Sequence, residues 1–351
     1  MRLLLYEWCC SGGLAGPDVR RVVREGDDVE ALAREGRAML LGLLADAGRD
    51  GGLEVSAMVD EARPLGPWEG VGMRPVPRGQ EIEVLVAESR RADATLIVAP
   101  ETAGILAERV AAVRGAGGRP LAPSGGFIEI ASDKQATIDT LAAAGIAVPA
   151  GCSLPSGAEW PRWFRLPAVR KHRSSVGCDE VVIVAAGDEL PPPTSAATRL
   201  EAFVAGLTIG VSCIVGPAGI QPLPPMRQRF AAGRCPRYLG GAPLMEPALR
   251  RRATRLAVRS VAAVAAAAGG SQAGWVGVDM ILGGRHDGLD DRVLEVNPRL
   301  TTSFVGLAAA APQSLVRAIV AAAEGRSPSF ADFSAAAFTV ADDESASPGT
   351  S

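Results

Sequence analysis

The feature that most constrains this chain is the alternation of short apolar runs with helical stretches over its first 125 residues. RLLLYEW (2–8), LEVSAMVD (53–60), ATLIVAP (94–100) and RPLAPS (119–124) read as strands, and helix-like segments lie near 28–48, 80–91 and 102–114. Successive strands separated by helices join through right-handed crossovers, so the spacing predicts an open, largely parallel sheet. Ligands of such sheets gather beyond the carboxyl ends of the strands. Those ends carry Glu7 with Ser11, Gly12 and Gly13, then Asp60, then Pro100, Glu101 and Thr102. Glu7 also interrupts what would be the apolar core of a signal peptide, so MRLLLYEW reads as a first strand.

The remainder has a different rhythm. Residues 133–149 predict a helix capped by Ser132 or Asp133 and stopped at Gly145, with Pro149 beyond. PAVRK (167–171) and EVVIVAAG (180–187) predict strands around a polar loop, and PPPTS (191–195) is a loop on any reading. From 200 to 330, GVSCIVG, WVGVDMILG and RVLEVNP predict strands beside an Arg- and Ala-rich helix at 246–268. At 351 residues the chain is too long for one simple core. Two or three interlocked subdomains are expected, in an α/β fold with α+β elements. The acidic, small-residue tail 341–351 reads as disordered.

Composition excludes several functions. A formal net charge of −3 supplies no basic field for nucleic acid. Six cysteines without a CxxC pair argue against zinc and for a reduced, cytoplasmic setting. LAVRSVAAVAAAA (256–268) is too short for a bilayer and contains Arg259, so no membrane association is expected. His172 and His286 are far apart in sequence and read as incidental. There is neither a GxGxxG after the first strand nor a GxxxxGK[ST], which argues against a dinucleotide-binding or kinase-like protein.

The strongest chemical signal is Asp279 in WVGVDMIL with Glu295 and Asn297 in VLEVNPR. Residues two apart on a strand share a face. If the two strands pair through GGRHDGLDD, Asp279 joins Glu295 and Asn297, and two carboxylates with an amide oxygen suit a hard cation such as magnesium. The competing reading is three polar residues on the wet face of a hairpin. The second signal is Lys171 followed by Ser174, Ser175 and Gly177, a loop able to bring backbone N–H groups to phosphate oxygens. A hairpin with a basic residue at its base explains it equally well.

Taken in order, these motifs resemble the ATP-grasp superfamily over roughly residues 1–325. They are DKQATIDTLAAAGIAVP, KHRSSVGCDE, EAFVAG, Asp279 and EVNPR. The resemblance implies a division into an N-terminal α/β domain (1–125), a small central lid subdomain (126–198) and a C-terminal antiparallel subdomain (199–330). It also implies that Lys134 and Lys171 reach the ATP phosphates beneath a lid containing Ser175 and Gly177. Glu201, Ala202, Phe203 and Val204 would form the linker whose backbone reads adenine. Asp279, Glu295 and Asn297 would hold two magnesium ions, with manganese a possible substitute, and Arg299 would stabilise the transferring phosphoryl group or acyl phosphate. Thr208 stands where relatives often place a ribose-binding acid, and Gly277 where the D-Ala-D-Ala ligase branch has an arginine.

A narrower resemblance rests on YEWCCSGGL, APETAGIL, RQRF, RYLGGAP and EVNPRLTTSFVGL, which are similar to tyramine–glutamate ligases of methanofuran-type cofactor synthesis. It implies an acceptor site among Glu7, Gly12, Gly13, Glu101, Gln228, Arg229, Tyr238, Gly240 and Gly241. Glu7 or Glu101 would hold an ammonium, Arg299 or Arg229 a carboxylate, and Tyr238 with the two glycines would flank an aromatic ring. The alternatives are a ligase for another amino-acid or peptide pair and a catalytically inactive ATP-binding protein. The partners expected are a small carboxylate and a small amine, with a homodimer left open.

Overall fold

The computed structural model describes residues 1–23, 28–49, 51–174, 181–231, 233–334 and 337–339. Ser175, Gly177 and the tail 341–351 lie outside the described residues. The N-terminal part runs β1 (Arg2–Glu7), α1 (Val19–Val22), α2 (Val29–Ala47), β2 (Glu54–Asp60), β3 (Val71–Val76), α3 (Glu81–Ser89), β4 (Ala94–Val98), α4 (Ile105–Gly115) and β5 (Pro120–Leu121). All pairings are parallel, in the order β3-β2-β1-β4-β5.

Both faces of this sheet are buried, as the near-continuous apolar strands require. Along β1 the side chains alternate. Leu3 and Leu5 join one core with Leu40, Leu43 and Leu44 of α2, whereas Leu4, Tyr6 and Trp8 join another with Leu85 of α3 and Leu106 and Val110 of α4. Strand β3 escapes sequence reading because VGMRPV is half exposed and contains a proline.

Two helices, α5 (Gly125–Ser132) and α6 (Lys134–Ala143), lead into β6 (Gly151–Leu154), β7 (Ala168–His172), β8 (Val182–Val184) and β9 (Thr198–Ala202). These strands make an antiparallel sheet in the order β6-β9-β7-β8. The chain then forms β10 (Leu207–Gly216), β11 (Gly219–Pro222), β12 (Met226–Ala231), β13 (Arg237–Pro243), α7 (Pro247–Ala268), β14 (Gly274–Leu282), β15 (Arg292–Asn297), α8 (Ser303–Ala310), α9 (Leu315–Ala323) and β16 (Phe338–Thr339). Their antiparallel sheet runs β15-β14-β10-β12-β13-β16, with β11 beside β10.

The packing interlocks these parts more than the expected boundaries at 126, 198 and 199 imply. Strand β9 belongs to the small sheet, so the divide between sheets falls at 203–206. Phe127, Leu141 and Ile146 pack with Val211, Val261 and Val278 in the core of the large sheet, although they precede the small one. Phe304, Leu307, Leu315 and Ile319 of α8 and α9 return to α2 and the parallel sheet. The carboxylate of Asp46 in α2 accepts from the Ser314 hydroxyl at 2.9 Å and the Val316 N–H at 2.7 Å, fixing that return.

A buried polar network pins the segment around α1 against the parallel sheet. Arg109 donates to both Glu81 oxygens, at 3.2 and 2.6 Å, and to Asp18 at 2.5 Å. The Tyr6 hydroxyl donates to Glu81 at 2.5 Å. Burial, followed by the Glu81 charge, pushes the Tyr6 phenol well above its ordinary range and keeps it a donor. Removing the guanidinium strands Glu81 at 6% exposure. Arg109→Met should therefore cost about 3–5 kcal/mol of stability, read as a lowered urea midpoint at an unchanged slope.

Candidate functional site

The strand pairing brings the C-terminal triad together. In the β14–β15 ladder Asp279 stands opposite Glu295 and Gly277 opposite Asn297. The Asn297 amide donates to one Asp279 oxygen at 2.9 Å, and the Gln228 amide, from β12, donates to the other at 2.7 Å. Gln228 reaches across Gly210, where an added Cβ would lie 3.1 Å from the amide nitrogen and 3.3 Å from the Asp279 oxygen. At Gly277 an added Cβ would come within 2.7 Å of Thr301, so this position has no room for an arginine.

The two carboxylates have opposite electrostatic fates. Burial and then the Glu295 charge push Asp279 up to about 7. Burial acts on Glu295 in the same direction, but the cations Lys134, Lys171 and Arg299 outweigh it and leave Glu295 below its ordinary value. Lys134 begins α6 and lies 3.5 Å from Glu295. It is placed by Asp133, which caps α6 by accepting from the Gln135 and Ala136 N–H groups and is itself paired with Arg173. Lys171, on β7, sits 2.7 Å from Glu201 on β9, whose other oxygen meets Arg199 at 3.0 Å. Arg299, just past β15, pairs with Glu101 at the end of β4 and joins the two sheets. Burial opposes the Arg299 charge, yet the Glu101 carboxylate holds its pKa raised.

The donor set fits a divalent cation. Asp279 and Glu295 crowd each other, Asn297 adds an amide oxygen, and burial with the Glu295 charge keeps Asp279 raised. These residues open into a cleft of about 650 Å³ that also receives Lys171, Glu201, Ala202, Phe203, Val204 and Thr208. Glu201 and Ala202 are strand residues, and it is the Glu201 carboxylate that is engaged. The Ala202 and Phe203 N–H groups already bond Ala150 and Pro167 at 2.8 and 3.1 Å. The Val204 N–H makes no hydrogen bond among the described residues.

The expected acceptor residues divide. Glu7, Gln228 and Tyr238 line the cleft. Glu7 is also a turn cap, its oxygen accepting the Cys10 N–H at 2.8 Å, and burial raises its pKa. Glu101 is committed to Arg299. Gly12 and Gly13 instead pack beneath the turn, where an added Cβ would meet Val76 at 3.0 Å and the Trp8 ring at 2.3 Å respectively. Arg229 is exposed and, by strand alternation, points away from the face carrying Gln228 and Phe230. Gly240 and Gly241 lie outside the cleft lining because β16 packs on them, with Phe338 against both. Sequence reading missed Arg199, although it shares a strand face with Glu201. It also missed the α2 residues Leu32, Glu35 and Met39, whose helical pattern looks like ordinary core.

Two outcomes test this geometry. An ionised Asp279 is needed for cation binding, and its folded value lies above the ordinary carboxylate range. Mn²⁺ affinity should therefore weaken as pH falls through about 7 and level off above it, measured by the free-ion EPR signal, with the dependence lost in Asp279→Asn. Lys171→Ala should weaken ATP binding by about 1.5–3 kcal/mol, roughly tenfold to a hundredfold, by calorimetry. Its unfolding midpoint should stay close to wild type because Arg199 still holds Glu201.

Residues 53–126 match the pre ATP-grasp 3 domain and residues 131–303 the ATP-grasp domain. No curated protein matches the sequence significantly. The structure is similar to that of an ATP-grasp superfamily protein from Archaeoglobus fulgidus, with a TM-score of 0.65 at 22% identity, covering 94% of this chain and 90% of that one. The L-amino acid ligase of Bacillus licheniformis gives a TM-score of 0.62 at 16% identity, covering 92% of this chain and 73% of that one. The D-alanine–D-alanine ligase of Bacillus anthracis, solved with ATP, gives 0.57 at 16% identity, covering 92% and 97%. With the parallel sheet, the small antiparallel sheet and the large antiparallel sheet in this order, the chain carries a pre-ATP-grasp domain followed by an ATP-grasp domain.

Proposed function

We propose that the chain is an ATP- and magnesium-dependent ligase that joins a carboxylate to an amine through an acyl phosphate, with glutamate as the carboxylate and tyramine or a similar primary amine as acceptor. The observation that carries this reading is the chemical division of one cleft. Its C-terminal and small-sheet walls bring Lys171, Arg237 and Arg299 beside Asp279, Glu295 and Asn297. Its N-terminal wall, residues 7–102, contributes Glu7, Asp28 and Glu35 and, among the described residues, no lysine, arginine or histidine. Val22, Leu32 and Met39 supply apolar surface on that wall. A polyanion and its metal suit the first side, and an ammonium on an apolar body suits the second.

Lys134 and Lys171 would exchange their contacts with Glu295 and Glu201 for phosphate oxygens. Magnesium, held by Asp279, Glu295 and Asn297, would neutralise charge on the transferring phosphoryl group. A carboxylate oxygen attacks the γ-phosphorus and ADP leaves. The ammonium first gives up one proton, and the free amine nitrogen then attacks the acyl carbon and loses a second proton as phosphate departs. Arg299 faces the developing charge, while Glu7 and Glu35 offer carboxylates to the incoming ammonium. Enclosure between the walls keeps water from the acyl phosphate. The cysteines among the described residues are unpaired, which fits the proposed cytoplasmic setting. No single helix among the described residues is long and apolar enough to cross a membrane.

Incubation with ATP, magnesium, glutamate and tyramine should yield ADP, phosphate and a dehydrated adduct by mass spectrometry. Glu295→Gln should lower turnover by about a hundredfold or more. ADP release with a different carboxylate and amine would keep the ligase and replace the substrate pair. ATP binding without ADP release across a panel of amino acids and amines would instead leave a passive nucleotide-binding protein.

A further inference from the structure

Gly240 and Gly241 were expected beside substrate, and the structure places a different group against them. The two-residue strand β16 lies antiparallel to β13, Thr339 opposite Gly240 and Phe338 opposite Gly241. A Cβ at Gly240 would lie 2.3 Å from the Phe338 carbonyl oxygen, and Gly240 has a φ of +124°, a conformation that side chains resist. A Cβ at Gly241 would stand 3.2 Å from the Phe338 ring. On the other side, a Cβ at Gly306 of α8 would lie only 2.1 Å from the same ring. Three glycines from two elements thus form one socket, and a single phenylalanine fills it.

What the socket supports is the near side of the cleft. Gly241 is the ladder partner of Gln228, the residue whose amide holds Asp279 at 2.7 Å. One residue past Gln228 the β12–β13 register slips, between Arg229 and Phe230, so that hairpin is irregular close to where the alignment of Gln228 is set. Without β16, β13 would be an unsupported edge beside that irregularity. Helix α8, the other wall of the socket, begins at Ser303, which lines the cleft with Thr301 and Thr302.

We propose that Phe338 is a positioning residue: by seating in the Gly240–Gly241–Gly306 socket, the C-terminal strand latches the β12–β13 hairpin so that Gln228 holds Asp279 in its cation-binding orientation. The cation part of this inference rests on the proposed role of Asp279. The mechanical part, that β16 sets the order of β12, does not.

The test uses the full chain with Phe338→Ala, Phe338→Leu, Gly306→Ala, Gln228→Leu and the Phe338→Ala/Gln228→Leu double variant. Amide hydrogen exchange reads the hairpin at 226–243, and Mn²⁺ binding in the presence of ATP reads the site by EPR. Loss of an outer contact to a metal ligand typically lowers affinity about 10- to 100-fold. Gln228→Leu should fall in that range and Phe338→Ala near its lower end. The double variant should be no weaker than Gln228→Leu alone, since both act through one contact. Gly306→Ala should reproduce Phe338→Ala, and Phe338→Leu should restore most of the affinity. Wild-type exchange at 226–231 in Phe338→Ala would overturn the latch, and so would multiplicative losses in the double variant. If the wild-type chain binds no Mn²⁺, the cation reading of Asp279 fails, and exchange at 226–231 alone decides whether β16 orders the hairpin.

Discussion

The site is organised around two carboxylates held face to face. Asp279 and Glu295 occupy opposed positions on neighbouring strands, where like charges repel and burial denies them water. A sheet tolerates such a pair only if positive charge arrives from elsewhere. It comes from three separate elements, Lys134 at the start of α6, Lys171 on β7 and Arg299 beyond β15. Those cations favour Glu295 and leave Asp279 raised. The pair is therefore asymmetric, with one carboxylate compensated and the other pushed up by burial and by its neighbour's charge.

The same electrostatics ties the layers together. Lys171 reaches Glu201, and Glu201 is shared with Arg199, which also bonds Gln135 at 2.5 Å and the Pro149 carbonyl at 3.1 Å. The small sheet is thereby connected to α6 and to the segment entering β6. Arg299 and Glu101 make the corresponding connection to the parallel sheet. Lys134, Lys171 and Arg299 each thus have a carboxylate partner in this structure, and a ligand with phosphate oxygens competes with those pairings instead of meeting bare charge.

Much of this was readable from the sequence, and the reasons differ by element. The parallel sheet followed from alternation because β1, β2 and β4 at its centre are buried on both faces and largely apolar, whereas the half-exposed edge strand β3 gave no such signal. The convergence of Asp279, Glu295 and Asn297 followed from the period of a strand and one hairpin. The side on which Arg229 lies was equally available, since Gln228 and Arg229 must point oppositely, yet the reading named both for the acceptor site. Helices α8 and α9 were missed because both are short and predominantly apolar, α8 carrying no charged residue and α9 only Arg317. A glycine pair announces that something approaches closely without saying what, and only the return of β16 shows that Phe338 is what packs on Gly240 and Gly241.

The two walls of the cleft also explain why the acceptor side is so weakly marked in sequence. Holding a cation or a phosphate demands specific donor types at fixed separations, and those recur as short strings such as EVNPR. Holding an amine with an apolar body demands only buried surface and negative charge. Val22, Leu32 and Met39 meet the first requirement and Glu7 and Glu35 the second, from β1, α1 and α2. Because those residues also build the core between the helices and β1, their pattern is that of packing. On the proposed reading, the choice of amine is therefore written in the shape of α1 and α2 against β1 and not in any contiguous motif.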